Sequence, residues 1–548
     1  MKMICWLILV FLLILPGPGL AGERLRLNIG TLEFPDILSF DYSLRVASQF
    51  ALGPVLRPLV LPGADLRFAC ELCDQLPDIP NGGIVVQADG GLIVTYHLRK
   101  DWYWGDGVPV TAQDFAFTIE LARTPKTGFV RSSIYADIQK VETPDPLTLR
   151  LTFSKTRYDA GQLRITPLPE HIERKVLDRV GAEHYAQETM YVKQPALPGL
   201  WNGPYLVTDF KLRDHIIYRR NPFWRGTKPQ FDDVILRAID NTAALEQNLL
   251  SGDIDYGRGL SLGFADRLIK NHNPDFSVDL VPSTGRQMLQ VSPHNSWLAD
   301  PRIRRALVLA LDRDTMARQH LGSAFEPAFS FLPEADPFFS KPAHGALAFD
   351  PMTARALLDE LGLGIGPDGI RQNQQGDRLQ IDLMIGAGDP AGALLAVFLQ
   401  SAWRDIGIDI HILPREQGEV YRQARELSYS GLLEQSWITA PGDPPRLVFH
   451  SSSIPAKANH FSGGNQSGYA NPEMDVLIDR ARLEIDPVLR RTLMARIQAL
   501  YVRDLPEIPL FITAVPYVRP KALTGLTFYP VDVGTYRIED WRLASPKP

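Results

Sequence analysis

Hydrophobic positions change period repeatedly along this chain. LIVTYHLR at 92–99 follows the turn signal Asp89-Gly90-Gly91, and Val94, Tyr96 and Leu98 share one face of a strand. Thr111 then opens a helix. Thr111-x-x-Asp114 resembles a capping box, and Phe115, Ile119 and Ala122 repeat at helical spacing. Alternation by two returns in LQIDLMI at 379–385 and in IDIHIL at 408–413. A helix near 391–405 lies between them, which predicts a β-α-β unit. SYSGLLEQSW at 428–437 reads as a further strand that ends at Trp437.

Later helices share one start signal. Asp300-Pro301, Asp350-Pro351, Asn471-Pro472 and Asp486-Pro487 each join a capping side chain to proline in the first helical position. The cap accepts from a backbone N–H that has no partner in the helix, and proline lacks only an N–H that would be unpaired there. This mixture of strands and helices predicts a multi-lobed α/β protein.

The first residues read as an export signal. Lys2 precedes an apolar run at 4–15, Pro16-Gly17-Pro18 ends it, and Gly19-Leu20-Ala21 offers small residues for cleavage after Ala21. The run is shorter than the roughly 20 residues of a bilayer crossing. No Cys follows Ala21, so a soluble chain without a lipid anchor is expected in the periplasm. Cys5 leaves with the signal. Cys70 and Cys73 remain as a C-x-x-C pair, and an oxidising compartment favours a local disulfide over a zinc half-site or redox chemistry.

Composition is that of a globular protein, with 45% hydrophobic and 22% charged residues, and the net charge is −6. No basic block or basic-aromatic stripe suits nucleic acid. Gly259-x-Ser261-x-Gly263 matches a nucleophile elbow, but a buried strand should precede it, and residues 253–258 read as polar and Gly-rich. Gly362, Gly364 and Gly366 follow a helix, so a helix end and a turn account for them better than phosphate binding. Trp102, Tyr103 and Trp104 beside Gly105-Asp106-Gly107 suggest aromatic packing near a turn. Trp437 opens into Ala440-Pro441-Gly442-Asp443-Pro444-Pro445, where a flat ring can line a cleft. No metal site, cofactor or catalytic set is expected.

Several segments in order resemble the bacterial extracellular solute-binding proteins of family 5. They include DGGLIVTYHLRKDWYWGDGVPVTAQDFAFTIE at 89–120, RRNPFWRG at 219–226, DPRIRRALVLALDRD at 300–314, QSWITAPGDPPRL at 435–447 and YANPEMDVLIDRAR at 469–482. The resemblance implies a type II, cluster C-like clamp of two discontinuous lobes with an extra subdomain. Expected bounds are 22–60, 195–280 and 505–548 for lobe I, 61–194 for the subdomain and 281–504 for lobe II. It implies a non-enzymatic, monomeric carrier that brings a peptide or peptide-like solute to the permease of an ABC importer. Alternatives are a blocked peptide, an opine-like molecule or a metal chelate as ligand, or an exported hydrolase acting through Ser261. Ligand contacts are expected from Trp437, Ile438, Thr439, Ala440, Asp443 and Asp36. Peptide-binding members place an Asp three residues after the Trp, against the ligand's free amine. Here Ala440 stands in that place, Asp443 does not replace it, and Asp36 or Asp41 is the expected substitute.

Overall fold

The computed structural model describes residues 24–544 apart from 40–41, 43–45, 131–134, 318–324, 341–344, 389, 460 and 531–533. The expected export signal and Asp41 lie outside the described residues.

Alternation and capping produce the elements they suggest. Strands form at Leu92–His97, Gln380–Gly386, Asp409–Arg415 and Leu432–Ile438, with the helix Pro390–Arg404 in between. Gln380–Gly386 pairs in parallel with both Asp409–Arg415 and Leu432–Ile438, which gives the β-α-β unit. All four cap-proline starts hold. Asp300 accepts from Arg302 N at 2.8 Å, Asp350 from Thr353 N at 3.0 Å, Asn471 from Glu473 N at 2.9 Å and Asp486 from Val488 N at 2.8 Å. At the earlier helix, Ala112–Arg123, Asp114 Oδ2 accepts from Thr111 N at 2.8 Å.

Three main sheets carry the molecule. The first has five strands in the spatial order 256–258, 26–31, 233–238, 215–220, 205–211. Its strand Arg26–Thr31 runs parallel to both neighbours. A four-stranded antiparallel sheet of Ile84–Val86, Leu92–His97, Thr148–Phe153 and Ile138–Asp145 shares the same hydrophobic core. The third sheet has six strands, centred on Phe276–Val291 and Glu507–Pro520, and lies over a separate core with Trp403, Leu399 and Ile497.

Cys70 and Cys73 are disulfide-bonded, with Cα atoms 5.1 Å apart, at the end of the hairpin formed by Val60–Pro62 and Phe68–Cys70. Trp104 is fully buried and donates from Nε1 to Asp114 Oδ2 at 3.4 Å, while Trp102 donates to Asn202 O at 3.1 Å. Gly362 takes φ +73° just beyond the helix Pro351–Glu360, and Gly364–Ile365 enters a short hairpin.

The long strands Phe276–Val291 and Glu507–Pro520 pass from one lobe to the other. Near 515–520, Tyr517 belongs to the first lobe's core, whereas Leu289 and Ile508 belong to the second. Between these ends the register breaks. Pro282 faces Ala514 and Arg286 faces Ile512, so Ser283, Thr284 and Gly285 bulge opposite Thr513. A bulge of this kind bends the strand and loosens the ladder. Directly after it, Arg286 Nε donates to Glu507 Oε1 at 2.8 Å, and each side chain is only 1% exposed. Arg286 Nη1 also donates to Thr439 Oγ1 at 2.8 Å, and Tyr501 OH donates to Glu507 Oε1 at 3.3 Å. Removing one member strands a buried charge, which costs about 3–5 kcal/mol. Glu507→Gln is therefore predicted to lower unfolding free energy by about that amount. Urea denaturation checks this, and a change below ~1 kcal/mol would show that the pair does not hold the joint.

Candidate functional site

Two walls flank the crossing strands. On the first lobe, the parallel strands Arg26–Thr31 and Tyr256–Arg258 release their carboxyl ends side by side. Open α/β sheets place ligands outside these ends. Leu32, Glu33 and Arg258 line a pocket of about 200 Å³ there, together with Val515 and Pro516 of the crossing strand. Arg258 Nη1 stands 3.4 Å from Glu33 Oε2, and its guanidinium lies over the Phe50 ring at 5.5 Å.

On the second lobe, Leu432 and Leu433 are buried, and the strand then climbs out of the core. Trp437 is half-buried against that core, opposite Arg286. Ile438 is 66% exposed at the strand end. Thr439 N donates to Thr284 O at 3.2 Å, which ties the strand end to the bulge. Ala440 is exposed. The structure thus brings Trp437, Ile438, Thr439 and Ala440 together at the joint.

Asp443 points elsewhere. The turn closed by Asp443 N on Ala440 O at 3.1 Å, with Gly442 at φ +67°, swings the carboxylate away from the strand end. Gly442 N donates to the buried Asp336 Oδ2 at 2.8 Å, which fixes the turn. Asp443 Oδ1 accepts from Tyr158 OH at 2.7 Å. Tyr158 follows the four-stranded sheet of the first lobe, so this bond joins the two lobes. Tyr158 N also donates to Arg482 O at 3.0 Å. The Arg490 guanidinium sits 3.9 Å from the Tyr158 ring centre and 4.3 Å from that of Phe338, and it donates to Gly442 O. Burial pushes the Asp443 carboxyl above its ordinary range. The Tyr158 hydroxyl opposes this shift, and the negative charge of Asp159 adds to it. Burial beside these carboxylates also raises the Tyr158 phenol well above its usual value.

Asp36 is exposed on the first lobe, and its Oδ1 accepts from Ile37 N at 3.1 Å. Tyr158, Arg490 and Asp336 were not expected from the sequence. Tyr158 and Asp336 sit in segments without a motif, the helix-start signal before Arg490 says nothing of its partners, and only tertiary folding brings the three to the Ala440–Asp443 turn.

The reading of the G-x-S-x-G segment needs correction. A strand, Tyr256–Arg258, does precede Ser261, and a helix, Leu262–Lys270, follows it. The strand is too short for its period to show in sequence. Ser261 is the helix cap: its Oγ accepts from Phe264 N at 3.1 Å and donates to Glu246 Oε1 at 2.6 Å. Among the described residues, no group of three or more His, Cys, Asp or Glu could hold a metal ion, and no helix is long and apolar enough to cross a membrane.

Comparison with known proteins agrees with this architecture. A protein of Brucella ovis, provisionally named an ABC transporter peptide-binding protein, is 31% identical over 403 residues, 71% of this chain and 70% of the relative. The periplasmic murein peptide-binding protein of Escherichia coli is 23% identical and is covered to 79%, as is this chain. The crystal structure of the ABC transporter substrate binding protein CtaP from Listeria monocytogenes shares the fold with a TM-score of 0.78 at 19% identity, covering 95% of this chain and 100% of that one. Residues 85–457 match the model of the middle region of bacterial extracellular solute-binding proteins, family 5. The chain belongs to the bacterial extracellular solute-binding proteins of family 5.

Proposed function

We propose that this protein captures a peptide or peptide-like solute between its lobes, in the periplasm, and delivers it as a monomer to the permease of an ABC importer. One observation carries the reading. Two lobes with separate cores are joined by the bulged crossing strands and touch again at the Tyr158–Asp443 contact, so a solute can be held between them when that contact is made. The exposed strand end at Ile438–Ala440 offers main-chain groups to an extended ligand, as an added strand would use them. Trp437 supplies a flat apolar edge beside it. The relatives named for peptides and murein peptides support the ligand class. A chain exported through removal of residues 1–21 fits a carrier that works outside the inner membrane.

The test is native mass spectrometry of the mature protein purified from its own periplasm. A bound mass of a few hundred daltons is expected, released on denaturation and chemically unchanged with time. Turnover of that molecule would replace capture with catalysis.

Ala440 shapes the ligand. An amine enclosed without a carboxylate partner loses about 2–5 kcal/mol. Ordinary free-amine peptides are predicted to bind weakly and amine-blocked ones better. Ala440→Asp should reverse this order, gaining at least ~10-fold for a free-amine tripeptide. Calorimetry with paired free and N-acetylated tripeptides checks it, and tight, amine-dependent binding by the unaltered protein counts against it.

Closure should depend on pH through Asp443. Its carboxyl titrates higher in the folded, closed molecule than in a solvated chain. A raised carboxyl favours the protonated form, so its contribution to closure is full below the ordinary carboxyl pKa. That contribution is lost as pH rises through the elevated value. Small-angle scattering should show a smaller radius at acid pH than at neutral pH. Asp443→Asn, neutral throughout, should remove that part of the change. Tyr158→Phe should weaken the contact by about 1 kcal/mol at every pH. If both variants track the unaltered protein, the contact plays no part in closure.

A further inference from the structure

Next to the Tyr158–Asp443 contact lies a cavity of about 700 Å³, within the size range of small-molecule sites. One wall comes from the first lobe, with Phe68, Leu76, Ile79 and Ile84. The other comes from the second lobe, with Phe338, Ile485 and Pro487. Tyr158 and Arg490 stand between the walls. Prolines at 77, 80, 337, 441 and 487 also face it. Their fixed φ angles stiffen both sides, so the space does not close by easy backbone adjustment. A second pocket of about 420 Å³, which Tyr158 and Asp443 also line, is otherwise lined largely by charged groups such as Lys155, Arg446, Asp479 and Arg482. The contact therefore borders a charged pocket as well as the apolar one.

Charge narrows the occupant further. The charged side chains around the apolar cavity are Arg67, Arg157, Arg490 and Arg491 against Asp78 and Asp486. Arg157 is neutralised by Asp159 at 2.6 Å. Both cavity carboxylates are engaged by backbone, since Asp78 Oδ1 accepts from Asn81 N at 2.7 Å and Asp486 Oδ1 from Val488 N at 2.8 Å. Arg491 is exposed at the rim, where its Nη2 donates to Pro337 O at 3.5 Å. Buried Arg490 keeps an Nε without a hydrogen-bond partner. The cavity thus offers apolar walls with Arg490 and Arg491 on its second-lobe side, while Arg67 stands 4.0 Å from Asp65.

We propose that this cavity is a ligand subsite for an apolar group that carries a carboxylate, separate from the strand-end wall at Trp437 and Ile438. The proposal rests on the solute-capture reading and names the chemistry of one part of the solute. Apolar atoms seated here gain dispersion contacts with both walls. The carboxylate is drawn to the arginine rim. Since each lobe supplies one wall, a group seated here has no equivalent site when the lobes part, and its binding favours the closed state.

The probes are 1-naphthaleneacetate and its neutral analogue 1-naphthaleneacetamide, titrated by calorimetry into the full mature protein. Saturable 1:1 binding is expected, with the carboxylate about five-fold tighter than the amide. Arg491→Glu should remove most of that preference. Ile79→Trp, a change at a half-exposed rim position that the fold can accept, should weaken both probes about ten-fold. Circular dichroism melting of each variant confirms that it is folded. Equal affinity for the two probes, or affinities that ignore both substitutions, overturns the proposal. So does the absence of saturable binding. The co-purified solute separates this failure from that of capture itself. If Ile79→Trp retains the solute at full occupancy and naphthaleneacetate does not displace it, the subsite is refuted and capture stands. If the protein holds neither solute nor probe, both fall.

Discussion

The Arg286–Glu507 ion pair is the contact on which the two-lobe arrangement depends. It lies at the place where both connecting strands pass from one hydrophobic core to the other, immediately after the bulge at Ser283–Gly285. A bulge loosens the ladder, and a loosened ladder can slip in register. The buried guanidinium opposes slippage, because moving it by one residue would leave both charges without partners in a dry environment. The same guanidinium reaches Thr439, so the end of the strand Leu432–Ile438 is fixed to the joint. The connection between lobes and the position of the strand end are thus set by one side chain.

From that joint the rest of the geometry follows. The strand Leu432–Ile438 is anchored where Leu432 enters the second core and Leu433 packs in a smaller cluster with Met384 and Tyr429, and it leaves these apolar contacts only in its last residues. Beyond them the chain must turn, and Asp336 and Arg490 hold that turn by its Gly442 N–H and carbonyl. This places Asp443 across the gap from Tyr158 rather than beside Trp437. An acid four positions beyond Thr439 therefore serves contact between lobes, while the position nearest the strand end, Ala440, presents only a methyl group.

Local elements were legible in the sequence because their signals are local. Alternation marked Leu92–His97 and Gln380–Gly386, and cap-proline pairs marked four helix starts within one residue. The strand end at Trp437 to Ala440 was singled out through the resemblance that QSWITAPGDPPRL carries. Arg286, Glu507, Tyr158 and Arg490 were not. Their partners lie 221, 285 and 48 positions away, for Arg286–Glu507, Tyr158–Asp443 and Arg490–Gly442 respectively. No periodicity reports pairing at such separations. The strand Tyr256–Arg258 escaped for a different reason: three residues beside a buried edge complete no recognisable alternation.

Closure must also be reversible, and this constrains the Tyr158–Asp443 contact. A bond that held the lobes together firmly without ligand would keep the solute out, and a ligand shifts the balance only by its preference for the closed form. The Tyr158–Asp443 bond is short, yet making it removes a carboxylate from water, as the upward push on that carboxyl records. The hydrogen bond and the desolvation oppose each other, so the net hold is small. Arg490, stacked between Tyr158 and Phe338, adds a contact that is lost as soon as Tyr158 withdraws with its lobe. A strong joint and a nearly balanced contact between the lobes give a clamp whose closed state the solute can decide.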